Sequence, residues 1–310
     1  MKEQKPKIVA VAGPTGAGKS RLAAAIAASV GGEVVSCDSM QIYRGMDIGT
    51  GKVTEEEKAG VPHHLLDISD VSKDFSLADF LDLARRTVDG IAARGKTPVL
   101  CGGTGLYLDR LLDGTDLSAA PSDEKLRREL EKLDNASLHA KLAGIDPESA
   151  GAIHENNRKR VIRALEIALL TGVNKTDWDA RSKKDESPYD KRLILLLPED
   201  RQALYGAIDR RVDAMFGAGL EDEARRVLSS SPSRSALQAI GYKEFLPYFD
   251  GKQTLEEVKE KIKQASRNYA KRQLTWFARE EDALRLYLET PLEEQLRAAL
   301  AYIENGKKGD

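Results

Sequence analysis

The chain has 310 residues, of which 41% are hydrophobic, 32% are charged and 5% are aromatic, and its formal net charge is −2. This length allows two domains of ordinary size, whereas the near-neutral charge excludes a protein that is basic overall. No apolar run approaches the ~18 residues of a membrane span, and residues 1–7 are charged without the apolar stretch of a signal peptide. We therefore expect a cytoplasmic protein without a membrane segment.

The first elements in chain order are a strand, a glycine-rich loop and a helix. The apolar run Ile8–Ala12 predicts the strand, and residues 21–28 predict the helix. The loop between them has the pattern G-x-x-x-x-G-K-S, whose backbone N–H groups can surround phosphate oxygens at the positive end of a helix. We predict phosphate binding, with Ser20 offering its hydroxyl to Mg²⁺, by Gly13, Pro14, Thr15, Gly16, Ala17, Gly18, Lys19 and Ser20.

Two further strands and a helix continue the alternation of strand and helix that is typical of a parallel sheet. Residues 33–37 and 97–101 predict buried strands, and the spacing of apolar residues predicts a helix over 76–94. Residues 42–64 have no clear period and predict a long ordered loop of the kind that carries function. Because sites of open α/β folds lie at the carboxyl ends of strands, Asp38 should lie near Lys19.

The third strand ends differently from that of a motor or switch NTPase. Such an enzyme usually carries an acidic residue for Mg²⁺ there, whereas this chain has Gly102-Gly103-Thr104 and carries its acid, Asp38, after the second strand. That arrangement suits a site that holds a polyphosphate as a leaving group while a base acts on another molecule.

The middle of the chain predicts an inserted helical domain. Residues 121–133, 136–142 and 157–170 read as charged helices with no strand between them, and a strand signal returns at residues 191–197. We predict a core over residues 1–113 and 191–310 and an insertion over 114–190. The helices predicted after the insertion span residues 201–216, 219–228, 235–249, 255–279 and 288–304.

Two basic clusters suggest a nucleic acid partner. Arg160 and Arg163 share one helix face, although a solvated cationic face would look the same. In the long helix, a buried stripe is predicted for Leu255, Val258, Ile262, Ala265 and Tyr269. Continuing that stripe leads to Arg272, Gln273 and Trp276. A buried polar network could satisfy these side chains, but Arg267 and Lys271 beside them favour an RNA backbone with a base stacked on the tryptophan.

Six motifs in order together resemble the tRNA dimethylallyltransferase family over residues 9–279, nearly the whole chain. They are the loop at 13–20, DSMQIYRGMDIGT at 38–50, GGTGLY at 102–107, RALE at 163–166, AIGYK at 239–243 and KRQLTW at 271–276. The resemblance implies a P-loop core with a helical insertion. It also implies an enzyme that moves a dimethylallyl group from dimethylallyl diphosphate to N6 of the adenosine 3′-adjacent to the anticodon of tRNA, releasing diphosphate.

The resemblance further implies residue roles. The loop would grip the diphosphate rather than ATP, with Mg²⁺ held partly by Ser20. Thr15 would hydrogen-bond the bridging oxygen, Asp38 would take the N6 proton, and Arg211 would neutralise the departing diphosphate. The enzyme would act as a monomer on the tRNA anticodon stem-loop, through contacts by Asp38, Ser39, Met40, Gln41, Thr104, Arg127, Lys159, Arg160, Val161, Ile162, Arg163, Gln238, Ala239, Ile240, Gly241, Tyr242, Lys243, Lys271, Arg272, Gln273 and Trp276.

Three other functions stay open on the sequence alone. An adenylate isopentenyltransferase would share the loop but act on free adenine nucleotides, which gives the inserted helices no purpose. A small-molecule kinase would use the loop for ATP, although the acid after the third strand is missing. A non-catalytic RNA adaptor would have little need of Asp38 beside Thr15.

Overall fold

A computed structural model describes residues 5–115, 122–182 and 186–306 of the protein. Its strands are β1 (Lys7–Ala12), β2 (Glu33–Ser36), β3 (His63–His64), β4 (Pro98–Gly102), β5 (Asp190–Leu197) and β6 (Leu284–Tyr287). Its helices are α1 (Lys19–Val30), α2 (Glu55–Lys58), α3 (Leu77–Ala93), α4 (Gly105–Leu112), α5 (Glu124–Leu130), α6 (Asn135–Ile145), α7 (Pro147–Ala152), α8 (Arg158–Thr171), α9 (Lys175–Ser182), α10 (Arg201–Gly217), α11 (Leu220–Ser229), α12 (Leu246–Phe249), α13 (Leu255–Phe277) and α14 (Leu292–Asn305).

The strands form one parallel sheet in the order β3-β2-β4-β1-β5-β6. The central strand β1 is apolar from Ile8 to Ala12 and fully buried, because helices cover both faces of such sheets. On one face, Val9 and Val11 pack with Leu22 and Ile26 of α1 and with Tyr302 of α14. The predicted α/β class with a parallel sheet flanked by helices is confirmed.

The chain divides into two compact units. The first consists of Met1–Leu112 with Pro188–Asp310 and contains the sheet. The second is Asp113–Ser187, where the structure describes α5 to α9 and no strand among residues 113–115, 122–182 and 186–187. Its core includes Leu138, Leu142, Val161 and Leu165.

Several elements differ from the sequence-based prediction. The loop predicted over 42–64 contains α2 and β3. The predicted helix start at Leu288 is wrong, because α14 begins at Leu292, directly after Pro291, and the edge strand β6 over residues 284–287 was not predicted. The helix predicted over 235–249 is also wrong. It is broken into 3₁₀ turns and the short α12, because Gly241 has a left-handed φ of 101°. Residues 1–4, the proline at 121 and residues 307–310 lie outside the described residues.

Helix α13 buries part of the predicted stripe: Val258, Ile262 and Gln273 are buried, whereas Leu255, Ala265, Tyr269 and Trp276 are only partly buried. Its buried residues are Val258, Ile262, Ala270, Gln273 and Phe277, and its start is fixed by a capping box between Thr254 and Glu257. The expectation that Arg272 shares the buried face is wrong, because its neighbour Gln273 takes that position and Arg272 is exposed. Within the described residues, no helix combines the length and apolar character that a membrane crossing requires.

Candidate active site

The glycine-rich loop connects the buried end of β1 to the first turn of α1. Gly13 has a φ of 146°, and a Cβ built there would lie 2.2 Å from the carbonyl oxygen of Leu196 on the adjacent β5. Only glycine therefore allows the chain to turn this close to the neighbouring strand. The helix begins at Lys19, so its unpaired N–H groups and the positive end of its dipole face the loop. This is the local arrangement that binds phosphate oxygens.

Lys19 supplies the loop with a cation whose proton is weakly held. Its Nζ donates a hydrogen bond to the carbonyl oxygen of Pro14 at 2.7 Å. Burial lowers the pKa of Lys19 to about 8; the Arg211 cation also lowers it, whereas Asp38 raises it. An anion in the loop would favour the ammonium form.

Asp38 follows β2 at the carboxyl edge of the sheet. Ser36 pairs with Cys101 of β4, which lies between β2 and β1. The Asp38 Oδ1 accepts backbone hydrogen bonds from Met40 at 2.8 Å and from Gln41 at 3.3 Å. These bonds fix the carboxylate and leave Oδ2 as an oxygen that can receive a proton.

Arg211 of α10 reaches the loop from the C-terminal part of the same unit. Its Nη1 donates to Thr15 Oγ1 at 2.6 Å, and its Nη2 donates to the carbonyl oxygen of Thr50 at 3.3 Å. Burial lowers the pKa of Arg211, and the charge of Asp38 opposes that effect. Because the Thr15 oxygen accepts from a cation, its own O–H group can donate to a bound oxygen.

Gln273 of α13 holds the same threonine from its backbone side. The Thr15 N–H donates to Gln273 Oε1 at 2.8 Å, and Gln273 Nε2 donates to the carbonyl oxygen of Gly103 at 2.8 Å. With the residue only 5% exposed, both ends of the amide are used inside the protein. Gln273 joins the phosphate loop to the end of β4, and contact of this side chain with RNA stays a prediction.

These groups surround one cavity of about 960 Å³. Its wall brings together, from the predicted site, Thr15, Gly16, Gly18, Lys19, Ser20, Asp38, Ser39, Met40, Gln41, Arg211, Gln238, Ala239, Ile240, Gly241, Arg272 and Gln273. Apolar side chains line it too, namely Ile48, Ile208, Val212, Met215, Leu220 and Ile262. A cationic phosphate loop and an apolar wall in one cavity match a ligand with an anionic head and a hydrocarbon tail.

Several residues predicted to contact RNA have other environments in this unit. Tyr242 is fully buried and donates its hydroxyl to Glu223 at 2.8 Å, so its side chain cannot reach RNA. The Trp276 Nε1 donates to Asp109 at 3.0 Å, and the Arg279 guanidinium lies 4.3 Å from the indole centroid. Arg279 covers one face of the ring, and the stacking of a base on Trp276 stays a prediction.

The remaining candidates in this unit have mixed environments. Thr104 Oγ1 accepts the backbone N–H of Ser39 at 3.3 Å, which ties the end of β4 to the segment after β2. Lys243 and Lys271 are exposed, as RNA contact requires. Arg267, which made the long helix look basic, pairs with Asp209 at 2.5 Å, so part of that charge is neutralised within the protein.

The second unit contains its own basic residues, and a buried glutamate engages some of them. Glu166 is fully buried, and it pairs with Arg127 at 2.8 Å and with Arg163. Burial raises the pKa of Glu166, but hydrogen bonds from Arg127, Asp123 and Arg163 outweigh it and lower the pKa below its usual range. Arg127 and Arg163 therefore stabilise this unit.

The rest of the basic segment in the second unit divides into buried and exposed residues. Val161 and Ile162 are buried in the helical core, so side-chain contacts of these two residues with RNA are contradicted. Lys159 and Arg160 are exposed and remain candidates.

Some functional residues were missed because no local pattern marks them. Thr50 was only part of a predicted loop, yet its carbonyl oxygen holds Arg211. Tyr269 was assigned to a buried stripe, yet it lines the cavity. Burial, with a smaller contribution from the charge of Asp38, raises the pKa of Tyr269 to about 12. The length of the loop over 42–64 and the motif at 38–50 were the available signals for Thr50, and both indicated the segment rather than the residue.

The residues that could hold a metal are few. Among the described residues, no group of three or more His, Cys, Asp or Glu side chains could bind a metal ion. Ser20 and Asp38 do offer a hydroxyl and a carboxylate to the same cavity. Mg²⁺ commonly takes one or two protein oxygens and completes its shell with phosphate oxygens and water, so the Ser20 hydroxyl fits it as a single protein ligand.

The parallel sheet, the loop before α1 and the lysine and hydroxyl at its end define a P-loop protein, with its acid two strands away from β1. A family model described as IPP transferase matches residues 41–280. The chain belongs to the IPP transferase family, which confirms the resemblance seen in its motifs.

The chain is similar in sequence to known proteins over almost its whole length. It is 50% identical over 278 residues to a tRNA dimethylallyltransferase of Halalkalibacterium halodurans, covering 88% of each chain. It is 44% identical over 302 residues to one of Bacillus subtilis, covering 96% of each.

Two solved structures are also similar. The full-length tRNA isopentenylpyrophosphate transferase from Bacillus halodurans has a TM-score of 0.73 at 44% identity, covering 97% of this chain and 96% of that one. A eukaryotic dimethylallyltransferase acting on tRNA has a TM-score of 0.85 at 29% identity, covering 97% and 80%.

Proposed function

We propose that this chain is a tRNA dimethylallyltransferase that moves a dimethylallyl group from dimethylallyl diphosphate to N6 of the adenosine 3′-adjacent to the anticodon. The cavity carries the proposal, because it joins a phosphate loop, a carboxylate and an apolar wall, and because relatives of this activity match along nearly the whole chain. We also propose that the protein acts as a monomer on the tRNA anticodon stem-loop. We assign the protein to the cytoplasm, where unmodified tRNA is available.

The reaction forms one bond and breaks one. The N6 lone pair attacks the allylic carbon, the C–O bond to the diphosphate breaks, and its electron pair leaves on the bridging oxygen. The N6 proton passes to Asp38, for which Oδ2 is available. The target adenine must leave its stack to reach the cavity, as bases modified by enzymes generally do.

The diphosphate is stabilised by groups already in position. Arg211 bonds Thr15 at 2.6 Å, so the guanidinium stands beside the hydroxyl that can donate to the bridging oxygen. Lys19 exchanges its bond to Pro14 for the phosphate oxygens. Preorganised donors of this kind stabilise the charge that develops on a leaving group. Mg²⁺ would supply further charge neutralisation when bound, with the Ser20 hydroxyl as its candidate protein ligand.

The experiment that tests this function offers the protein dimethylallyl diphosphate with unmodified tRNA, AMP or ATP in separate reactions. We expect N6-dimethylallyladenosine in the tRNA alone, detected by mass spectrometry after nuclease digestion. A product on AMP without one on tRNA would establish the adenylate enzyme instead. Phosphoryl transfer from ATP would establish a kinase, and tRNA binding without any product would establish an adaptor.

Asp38→Asn tests the base in the same assay. We expect it to keep tRNA binding and to lose about 10²–10⁴-fold in rate, which is the usual contribution of general base catalysis. Asp82→Asn is the matched control, because it makes the same change at an exposed carboxylate of α3, which pairs with the exposed Arg86. Turnover of Asp38→Asn close to that of Asp82→Asn would remove Asp38 from the mechanism.

A further inference from the structure

Glu223 is a buried carboxylate in α11. It lies behind the wall of the cavity and forms hydrogen bonds with the residues of that wall. It is 2% exposed, and it contacts residues 47–49, which line the cavity. Its Oε2 accepts the backbone N–H groups of Asp47 at 3.0 Å and Ile48 at 2.9 Å. Its Oε1 accepts the N–H of Gly49 at 2.9 Å and the hydroxyl of Tyr242 at 2.8 Å.

All four donors are neutral groups. The carboxylate therefore holds the segment in the way that an anion is held by several converging N–H groups. Hydrogen bonds to an ionised acceptor are about twice as strong as those between neutral groups. The fit is close, because a Cβ at Gly49 would lie 2.7 Å from the ring of Tyr242. Side chain and backbone thus hold residues 47–49 in one position.

The residues that follow hold two groups of the reaction site. The carbonyl oxygen of Thr50 accepts Arg211 Nη2 at 3.3 Å. The carbonyl oxygen of Gly51 accepts Gln41 Nε2 at 3.3 Å, and the backbone N–H of Gln41 donates to Asp38. Any displacement of residues 47–49 therefore moves the acceptor that orients Arg211.

We infer that Glu223 is a positioning residue for the leaving-group site: its carboxylate fixes residues 47–51 so that Thr50 directs Arg211 onto Thr15 and the diphosphate. The inference rests on the proposed function for the identity of the anion. Glu223 touches no reacting atom and acts through the backbone of this segment.

Glu223→Gln is the direct test, because it keeps the shape of the side chain and removes one of its two acceptor oxygens. When the remaining oxygen accepts from Asp47 and Ile48, the new NH₂ group faces the backbone N–H of Gly49. That N–H group then has no acceptor, and it lies directly before Thr50 in the chain. We expect inorganic diphosphate to bind the free enzyme about 10-fold more weakly by calorimetry, a change of ~1.4 kcal/mol. The KM for dimethylallyl diphosphate should rise similarly while the tRNA affinity stays unchanged.

Glu33→Gln is the matched control for a loss of stability. Glu33 is also buried, at the opposite end of β2, and pairs with Arg94 at 2.6 Å and Lys96 at 2.8 Å. This variant should lower the urea midpoint of unfolding and leave diphosphate binding at the wild-type value. A purely structural role for Glu223 would give it the same behaviour as Glu33.

A double-mutant cycle with Arg211→Ala tests whether the effect passes through Arg211. If it does, Glu223→Gln should weaken diphosphate binding less than about 2-fold further in the Arg211→Ala background, because coupled residues are not additive. Should Glu223→Gln fail to fold, Glu223→Asp replaces it in the cycle, because the shorter acid keeps both oxygens but withdraws them from residues 47–49.

Two results would overturn the inference about Glu223. One is a folded Glu223→Gln variant that binds diphosphate as tightly as the wild type. The other is a double mutant whose loss of diphosphate affinity equals the product of the losses in Glu223→Gln and Arg211→Ala. Either result leaves the proposed function intact if tRNA is still prenylated. Unchanged diphosphate binding in Arg211→Ala alone would instead remove Arg211 from the proposed leaving-group site, and the inference with it.

Discussion

Replacing Gln273 with leucine distinguishes the role that the structure gives this residue from the RNA contact that its motif implies. Leucine has a similar size but no polar atoms, so the variant removes two buried hydrogen bonds of 2.8 Å each, to Thr15 and to Gly103. Each polar group left without a partner costs about 1–3 kcal/mol. Because the Thr15 N–H borders the cavity and can be hydrated, the total should be ~2–4 kcal/mol of unfolding free energy.

The assay is urea unfolding of the first unit, combined with tRNA binding by the folded protein. We expect Gln273→Leu to lower the urea midpoint and to raise the KM for dimethylallyl diphosphate, because Thr15 loses its backbone anchor. The tRNA dissociation constant should stay at the wild-type value.

Arg272→Leu is the control at the preceding position of α13. Its guanidinium is exposed and lies 5.5 Å from the ring of Tyr269, so its loss should change stability by less than ~0.5 kcal/mol while weakening tRNA binding. The reasoning fails if the results are exchanged, with Gln273→Leu as stable as the wild type but defective in tRNA binding.

Three further predictions use the same geometry. The pKa of Lys19 is lowered to about 8, so near pH 8 about half of the unliganded lysine is neutral, and binding an allylic diphosphate should take up ~0.5 proton. Affinity should fall as the pH rises above that value, and calorimetry in buffers of different ionisation enthalpy should show no uptake in Lys19→Arg. Lys159→Ala combined with Arg160→Ala should make the plot of log affinity against log salt concentration less steep by about 1.4, because each residue is expected to contact one phosphate and each contact contributes about 0.7. An unchanged slope would exclude this segment from the RNA interface. Trp276→Phe should cost ~1 kcal/mol of stability, from the lost bond to Asp109, without changing tRNA affinity; weaker tRNA binding at unchanged stability would restore the stacking role.

The sequence by itself determined the features that depend on neighbours along the chain. The glycines of residues 13–18 permit one tight turn between β1 and α1, and that turn places the helix terminus at the phosphate site whatever the rest of the chain does. The period of apolar residues likewise gave the parallel sheet and located α1, α3 and α10 closely. Asp38 could be placed at the site because carboxyl ends of parallel strands meet at one edge.

Only the tertiary structure decided what the polar side chains do once the chain is folded. A helical period showed that Gln273 shares a face with apolar residues, but not that its partners are Thr15 and Gly103, 258 and 170 residues away in sequence. The same holds for Glu223, whose partners at 47–49 precede it by 174–176 residues. A local pattern records which residues are apolar and how they repeat. It cannot record which distant donor meets which buried acceptor, because that pairing exists only after the sheet and α13 have packed.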